Sequence, residues 1–509
     1  MVAHVQTVSF QGITAIPVDV QVQVASGLPA FTIVGLPDKA VAESRERVRA
    51  ALTASGLSLP PKRITINLAP ADLPKEGSHF DLPIALGLMA AIGAIPADSL
   101  DAYTVLGELA LDGRLAPVVG VLPAAMAANG DDRGLICPAG CGPEAAWADP
   151  DMTILAPDSL IALANHFKGS QVLTRPRAAI RTEKNALLDL RDIKGQEMAK
   201  RALEVTAAGG HNLLMVGPPG SGKSMLASRL PTILPPLSPA ELLDVSTIQS
   251  IAGLLPHGQL SAARPFRAPH HSASMAAMIG GGQRAKPGEV ALSHNGILFL
   301  DELPEFPPQV LDSLRQPIES GEAVISRANH RVTYPARFQL IAAMNPCRCG
   351  HAGEPGYICK RGQRCAADYQ ARISGPLLDR IDIRIEVPAV AARDLMLPPA
   401  KEGSNEVALR VGAARKIQRQ RYQGLGFDDL LTNAQCPASV IEKISAPTGP
   451  ARSLLAHAAD SMALSARGYH RILKVARTLA DLAGRPQPGK EEIAEALSYR
   501  MTASGSLVM

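Results

Sequence analysis

The sequence predicts a multidomain α/β protein that ends in a helical domain. The chain has 509 residues, whereas one domain usually holds roughly 100–200, so about three folding units are expected. In the first part, strand-like alternation is interleaved with longer helix-like apolar patterns. Further along, a Gly-rich segment, GPPGSGKS, follows the apolar run NLLMV, and the last hundred or so residues have mostly helical patterns.

Changes in pattern along the chain predict its domain boundaries. The first unit has strand patterns in VDVQVQV and RITINLA and helical patterns in AVAESRERVRAALTASG and DLPIALGLMAAIGA. A short segment rich in Lys and Arg, without a clear period, then indicates a flexible basic linker. The predicted units are an α/β domain at 1–165, the linker at 166–187, a nucleotide-binding α/β domain at 188–395 and a helical domain at 396–509.

Composition is typical of a globular protein. Hydrophobic residues make up 46% of the chain and charged residues 19%, and the net charge of +4 permits a polyanionic partner without requiring one. The start, MVAHVQTVSF, lacks the features of a signal peptide, and the apolar stretch at 82–96 is too short and too interrupted to span a bilayer. Seven cysteines without an export signal favour reduced thiols or a metal site. We therefore expect a cytoplasmic protein without membrane contact.

The segment GPPGSGKS matches the phosphate-binding pattern G-x-x-x-x-G-K-[ST], between an apolar strand and a helical pattern. Its glycines allow backbone N–H groups to surround phosphates at the start of a helix. Lys223 is expected to reach the β- and γ-phosphates of ATP, and Ser224 to ligate Mg²⁺. The predicted ATP-binding residues are Gly217, Pro218, Pro219, Gly220, Ser221, Gly222, Lys223 and Ser224.

Two later strand patterns end in polar residues that suit ATP hydrolysis. GILFLDE ends in Asp301, a candidate Mg²⁺ ligand, and Glu302, a candidate general base for the attacking water. FQLIAAMNP contains Asn345, which either positions that water or simply forms a turn before Pro346. Arg380 in SGPLLDRIDI is either a salt-bridged surface residue or a charge inserted into a neighbouring active site.

This order of motifs resembles that of the AAA+ ATPases. DIKGQEMAKRALEVTAAGGHNLLMVGPPGSGKS, RPFRAPHHSAS, LSHNGILFLDELPEF and RISGPLLDRIDI are similar to the magnesium-chelatase-like subfamily typified by ComM and YifB, over essentially the whole chain. The resemblance implies that Asn345 is sensor 1 and that Arg380 is an arginine finger acting on a neighbouring subunit. It also implies that Arg467 in SARGYHR is sensor 2, with Arg471 as the alternative. The helical domain would be the lid, and the subunits would form a homo-oligomeric ring, a hexamer.

The first domain resembles the proteolytic domain of Lon and the related domain of the recombination protein RadA. The resemblance lies in LPKEGSHFDLPIAL and LGELALDGRLAPVVGVLPAA. Lon chemistry requires a Ser nucleophile and a Lys base. Alignment places His79 at the nucleophile position and Leu122 at the base position, although the neighbouring Ser78 leaves a shifted register open. We expect a Lon-protease-like domain without catalytic activity.

Two basic segments are candidate DNA contacts. EAVISRANHRVTYPAR predicts a β-hairpin that carries Arg327 and Arg331, and residues 263–288 form a second Gly-rich basic loop. The resemblance implies that both segments face a central pore, where basic side chains would contact DNA phosphates. The alternative is a set of ordinary solvated charges.

A cysteine cluster is a candidate zinc site. The stretch CRCGHAGEPGYICKRGQRC contains Cys347, Cys349, Cys359 and Cys365. Clustered thiols in a reduced protein suit tetrahedral Zn²⁺, and His351 is an alternative ligand. Free thiols or a transient disulfide are the other possibilities.

The resemblance implies an ATP-hydrolysing hexameric ring motor that acts on branched or single-stranded DNA. Such a motor would be a helicase or branch-migration factor in homologous recombination or natural transformation. The alternative is a chelatase-type AAA+ subunit that drives metal insertion into a porphyrin. A protease is disfavoured by His79 and Leu122, and a regulatory adaptor without enzymatic activity by Glu302, Asn345 and Arg380. The expected cofactors are ATP and Mg²⁺, with Zn²⁺ as a further candidate.

Overall fold

The computed structural model describes residues 2–181, 188–282, 285–326, 331–350, 352, 364–396, 398, 400–447 and 449–500. An amino-terminal α/β unit is followed by a unit built on a parallel sheet and by a carboxy-terminal helical region. The predicted multidomain α/β class with a helical end is therefore confirmed. Within the described part of the chain, no helix combines the length and apolar character needed to cross a membrane.

The amino-terminal unit is a mixed sheet with helices packed on it. Its sheet has the order β3-β4-β2-β1-β5-β8-β9, and β6 and β7 form a separate small hairpin. The elements are β1 Val2–Gln11, β2 Thr14–Ala25, β3 Ala30–Val34, α1 Lys39–Ala54, β4 Arg63–Ala69, α2 Asp81–Ala91, β5 Tyr103–Val105, β6 Glu108–Leu109, β7 Leu115–Ala116, α3 Val121–Gly130, β8 Gly134–Ile136, α4 Gly142–Ala145, β9 Ile154–Leu155 and α5 Leu160–Phe167.

Alternating side chains explain how this sheet buries one face. In β2 the alternate residues Val18, Val20 and Val22 are fully buried, and β4 pairs with β2 in antiparallel register from Asp19↔Ala69. Helix α2 is buried along nearly its whole length and crosses close to the sheet at Gly87, where an added Cβ would lie 2.6 Å from a Val22 methyl group. The predicted strands and the predicted buried helix are confirmed.

Residues at the aligned Lon catalytic positions are engaged in packing. The buried His79 ring places Nε2 2.9 Å from the Val8 carbonyl oxygen. Leu122 is fully buried in α3, and Ser78 is hydrogen-bonded to Glu108. Burial of both aligned positions is consistent with the expected lack of peptidase chemistry, while the Lon-like fold itself remains a prediction.

The described part of the linker contacts the first domain, where Arg175 donates to the Met152 and Asp149 carbonyl oxygens, and also the central unit. The Arg181 N–H donates a hydrogen bond to the Leu260 carbonyl at 2.7 Å. Nearby, the Ser250 hydroxyl donates to the buried Glu144 carboxylate, which joins the two domains directly. The hydrogen bond from Arg181 shows that the described end of the linker contacts the central unit, and the flexibility of the linker stays a prediction. The predicted linker residues 182–187 lie outside the described part.

The central unit is built on a parallel sheet of order β11-β14-β17-β10-β18. Its core strands β10, β14 and β17 are buried on both faces, as the continuous apolar runs predict. The elements are α6 Glu197–Gly209, β10 Leu213–Val216, α7 Lys223–Ile233, α8 Pro239–Ala252, β11 Phe266–Arg267, α9 Met275–Ile279, β12 Gly280–Gly281, β13 Lys286–Pro287, α10 Glu289–Leu292, β14 Ile297–Leu300, α11 Pro308–Ser313, α12 Arg315–Ser320, β15 Glu322–Ser326, β16 Arg331–Pro335, β17 Gln339–Met344, α13 Cys365–Gln370, α14 Gly375–Leu378 and β18 Ile383–Glu386.

The two predicted basic segments lie next to each other. Strands β15 and β16 form the predicted antiparallel hairpin, with Ser326 opposite Arg331, while Arg327 lies outside the described residues. Within the second segment, β12 and β13 form a smaller hairpin. The Tyr334 hydroxyl donates to the Ala285 carbonyl at 2.9 Å and ties the two hairpins together.

The carboxy-terminal helices pack around a buried ion cluster of their own and also contact the central unit. The Asp481 carboxylate accepts hydrogen bonds from Arg421 and Arg477, and it is almost completely buried. The Gln418 side chain donates to the Ala208 carbonyl of α6 at 3.1 Å, which fixes the helical region against the central unit. The helices are α15 Ala392–Leu395, α16 Ser404–Gly424, α17 Ala438–Ile444, α18 Gly449–Ser461, α19 Ala466–Leu482 and α20 Lys490–Ser498.

Candidate nucleotide site

The candidate site lies where three adjacent parallel strands end. Strands β14, β17 and β10 are neighbours in that order, so their carboxyl ends meet at one edge of the sheet. The Gly-rich loop follows β10, Asp301 follows β14, and Asn345 follows β17. The topology therefore brings together residues that are more than a hundred positions apart in the sequence.

Lys223 is the centre of this site. Its ammonium group donates to the Gly217 and Pro218 carbonyl oxygens, each at 2.8 Å, and lies 3.3 Å from the Asn345 side-chain oxygen. Only 7% of Lys223 is exposed. Burial lowers the pKa of Lys223, and the attraction of Asp301 only partly opposes that shift. A polyphosphate would supply the negative charge that this buried cation lacks.

Ser224 and Asp301 form a second contact at the same edge. The Ser224 hydroxyl donates to an Asp301 carboxylate oxygen at 2.6 Å. Hydroxyl and carboxylate oxygens are ligands that Mg²⁺ accepts beside nucleotide phosphates. The two side chains thus fit the predicted Mg²⁺ site, and the Lys223 cluster fits the predicted ATP phosphates.

Glycines of the loop allow its tight turn. Gly220 and Gly222 adopt φ values of 75° and 92°, a region that L side chains rarely enter. At Gly217 an added Cβ would overlap the Val387 carbonyl oxygen, so only glycine fits between β10 and β18 there. These constraints explain why the loop has glycine at these positions.

Glu302 is held by a residue that the sequence analysis did not select. Its side chain is 52% exposed, and one carboxylate oxygen lies 3.2 Å from the Nδ1 atom of His271. Glu302 also has a positive φ of 52°, which is uncommon for a residue with a side chain and is often found at functional sites. His271 follows β11, the strand next to β14, so the sheet order places it beside Glu302. The repeated His in APHHSAS was the only available sequence signal.

Arg380 lies in a different place from the Lys223 cluster. It is only 6% exposed, its guanidinium donates to the Pro376 carbonyl at 2.6 Å, and it is paired with Glu319. Its Nε atom is buried without a hydrogen-bond partner among the described residues. The side chain lines a cavity of about 470 Å³, and no described residue of the Gly-rich loop, nor Asp301 or Glu302, belongs to the lining.

The two candidates for sensor 2 differ in their surroundings. Arg467 is exposed near the start of α19, whereas Arg471, one turn later, lines the same cavity as Arg380. Arg471 is paired with the buried Asp382 carboxylate. Burial alone would raise the pKa of Asp382, but Arg471 and His211 outweigh it and hold that pKa below its usual range. Because Arg471 lines the same cavity as Arg380, its placement favours Arg471 over Arg467 as the sensor 2 candidate.

Three cysteines of the predicted cluster come together. The sulfur atoms of Cys347, Cys349 and Cys365 all lie within 4.8 Å of one another. Cys359 and the alternative ligand His351 lie outside the described residues. Cys347 and Cys349 are two and four residues beyond Asn345 in the chain, so the cluster adjoins the candidate nucleotide site.

We predict that His271→Ala raises basal ATP hydrolysis by about fivefold. This rise is expected when a contact worth about 1 kcal/mol no longer holds the Glu302 carboxylate away from the position of the attacking water. ATP affinity should not change, because neither residue contacts Lys223 among the described interactions. Steady-state phosphate release and ATP binding measure the two effects. His270→Ala is the matched control, since that ring bonds to Ser272 and packs on His271 but makes no described contact with Glu302. Equal rates in both variants would contradict the assignment.

Comparison with known families covers all three units. Residues 189–395 match the family described as "Magnesium chelatase, subunit ChlI", residues 20–140 match "Subunit ChlI of Mg-chelatase", and residues 401–500 match "Magnesium chelatase, subunit ChlI C-terminal".

Relatives named YifB and ComM align over nearly the whole chain, and a magnesium-chelatase subunit aligns over part of it. The uncharacterized protein YifB of Salmonella typhimurium is 45% identical over 499 residues, which are 98% of this chain and 97% of that protein. Competence protein ComM of Haemophilus influenzae is 44% identical over 495 residues, covering 96% of this chain and 95% of ComM. The magnesium-chelatase 38 kDa subunit of Rhodobacter capsulatus is 25% identical over 338 residues, 61% of this chain and 86% of that subunit. The chain therefore belongs to the magnesium-chelatase-like AAA+ family that includes ComM and YifB.

Proposed function

We propose that this protein is an ATP-hydrolysing ring motor that acts on DNA as a helicase or branch-migration factor in homologous recombination or natural transformation. The observation that carries the proposal is the separation of Arg380 from the Lys223 cluster. An arginine that lies away from the nucleotide site of its own subunit is suited to act at the nucleotide site of a second copy. The relative named competence protein ComM supports the biological setting.

Within one subunit, the described contacts suit nucleotide binding and water activation. Lys223 would pair with the phosphates, while Ser224 and Asp301 would hold Mg²⁺, which neutralises charge on the phosphate oxygens. Glu302 lies one residue beyond Asp301, and its exposed carboxylate would accept a proton from the attacking water. The Asn345 amide, which already contacts Lys223, would orient that water.

The second half of each site would come from the neighbouring subunit. Arg380 has one guanidinium N–H without a partner among the described residues, and its Glu319 partner is half exposed and can be exchanged for phosphate. Arg471 lies in the same cavity and adds a second guanidinium. Such a head-to-tail contact generates a closed ring when its rotation closes, and we propose a hexamer. Hydrolysis would then move one subunit against the next.

The DNA contacts are proposed for the paired hairpins. Arg331 on β16 and Lys286 on β13 are exposed, and the Tyr334 hydrogen bond holds the two hairpins together. Exposed cationic side chains on a β-hairpin suit contacts with DNA phosphates, and such contacts do not depend on base sequence. The motor would therefore follow the DNA backbone and would not read bases.

We expect four-way-junction or forked DNA to stimulate ATP hydrolysis by the full-length protein several-fold, because DNA in the pore would order the subunits around complete sites. The rate of phosphate release, compared with and without DNA, measures this stimulation of ATP hydrolysis. Glu302→Gln should still bind ATP but release no phosphate, which ties the signal to this site. Stimulation by a porphyrin or a protein substrate, with no response to DNA, would contradict the DNA motor and favour the chelatase-type or protease alternative.

The choice between Arg467 and Arg471 is tested by a matched pair of conservative variants. Arg471→Lys should lower turnover by about tenfold or more, because lysine keeps the charge beside Asp382 but loses the planar fork of the guanidinium. Arg467→Lys should leave turnover nearly unchanged. Thermal unfolding of both variants checks that Asp382 remains paired. A loss confined to Arg467→Lys would restore the original assignment of sensor 2.

A further inference from the structure

The cysteine cluster lies between the end of β17 and the Gly-rich loop. Cys347 is two residues beyond Asn345, and both Cys347 and Cys365 are buried. The sulfurs of Cys347 and Cys349 are 2.8 Å apart, which exceeds the about 2.05 Å of a disulfide bond, so no disulfide joins them. Cys365 comes from the first residue of α13, in another part of the chain.

The geometry points to a bound cation. Neutral thiols form only weak hydrogen bonds, which give little reason for three of them to converge within 4.8 Å. Zinc binds thiolates at about 2.3 Å in a tetrahedral arrangement, so two thiolates on one ion are about 3.8 Å apart. The Cys347 and Cys349 sulfurs, 2.8 Å apart, would separate by about 1 Å to share the ion. Cys347, Cys349 and Cys365 supply three such ligands in the described structure, and binding would release their protons to solvent.

The same segment contacts the Gly-rich loop. A Cβ added at Gly350 would lie 2.8 Å from the Pro219 ring, so the backbone after Cys349 lies directly against the phosphate-binding loop. On the other side, the Gln370 amide of α13 donates to the Pro346 carbonyl at 3.0 Å, and Tyr369 is buried in the core. The cluster thus connects α13, the end of β17 and the loop that would hold ATP.

We propose that Cys347, Cys349 and Cys365 bind a zinc ion that holds the segment after Asn345 against Pro219, so that metal loading sets the affinity of the nucleotide site. This role depends on the proposed nucleotide binding by the Gly-rich loop but on neither DNA nor ring assembly. Zinc would keep the Cys347–Gly350 turn in place, and the turn would support the loop from one side. Loss of the ion would leave the loop free to move away from Asn345.

Metal content tests the site itself. Full-length protein purified anaerobically with reductant, without a metal-affinity tag, should contain about one zinc per chain by elemental mass spectrometry. Cys347→Ser and Cys365→Ser should each lose most of that zinc. Cys141→Ser is the matched control, because Cys141 is a buried thiol of the first domain outside the cluster. Wild-type protein without stoichiometric zinc, or with a Cys347–Cys349 disulfide under these conditions, would overturn the proposal.

Nucleotide binding tests the link to the loop. Wild-type protein stripped by a chelator, then returned to Mg²⁺, should bind ATP about tenfold more weakly and recover when Zn²⁺ alone is added. Gly350→Ala should keep its zinc and still bind ATP more weakly, because the new methyl group meets Pro219. Stripped protein that binds ATP with unchanged affinity would overturn the proposal, whatever the response of ATP hydrolysis to DNA.

Discussion

The buried Lys223 ammonium is the interaction on which the site depends. It is held by loop carbonyls and by Asn345, and burial lowers its pKa more than the attraction of Asp301 raises it. Its position follows from the order of β14, β17 and β10, which brings three distant segments to one sheet edge. Proteins with this arrangement gain their binding energy for phosphate from a cation that is already positioned and partly desolvated.

Under the proposed function, the site is incomplete within one subunit. Arg380 and Arg471 share a cavity on which no described residue of the Gly-rich loop borders, and Glu319 and Asp382 pair with them there. We infer that these acidic partners keep the cations in place until phosphate from another copy arrives. In that account, the ring is a chemical requirement, and hydrolysis cannot be separated from contact between subunits.

Sequence patterns predicted those parts of the molecule that depend on local order. The Gly-rich loop, the buried strands and the β15–β16 hairpin carry their signals in neighbouring residues, through glycine spacing, apolar runs and alternation. His271 could not be found in that way, because its contact with Glu302 depends on sheet order. Arg467 and Arg471 lie on one face of α19, four residues apart, so only the buried Asp382 distinguishes them. The hydrogen bond between Arg181 and Leu260 likewise joins residues that are far apart in the chain, so it leaves no local signal.

The central claim is that each complete site combines Lys223 of one subunit with Arg380 of the next. Its most direct test mixes two inactive variants, Arg380→Ala and Lys223→Ala, under conditions where rings assemble and exchange. ATP hydrolysis should reappear, since random mixing would restore roughly a quarter of the head-to-tail interfaces. Mixtures that stay as inactive as the separate variants, or an isolated wild-type subunit with full turnover, would contradict the account.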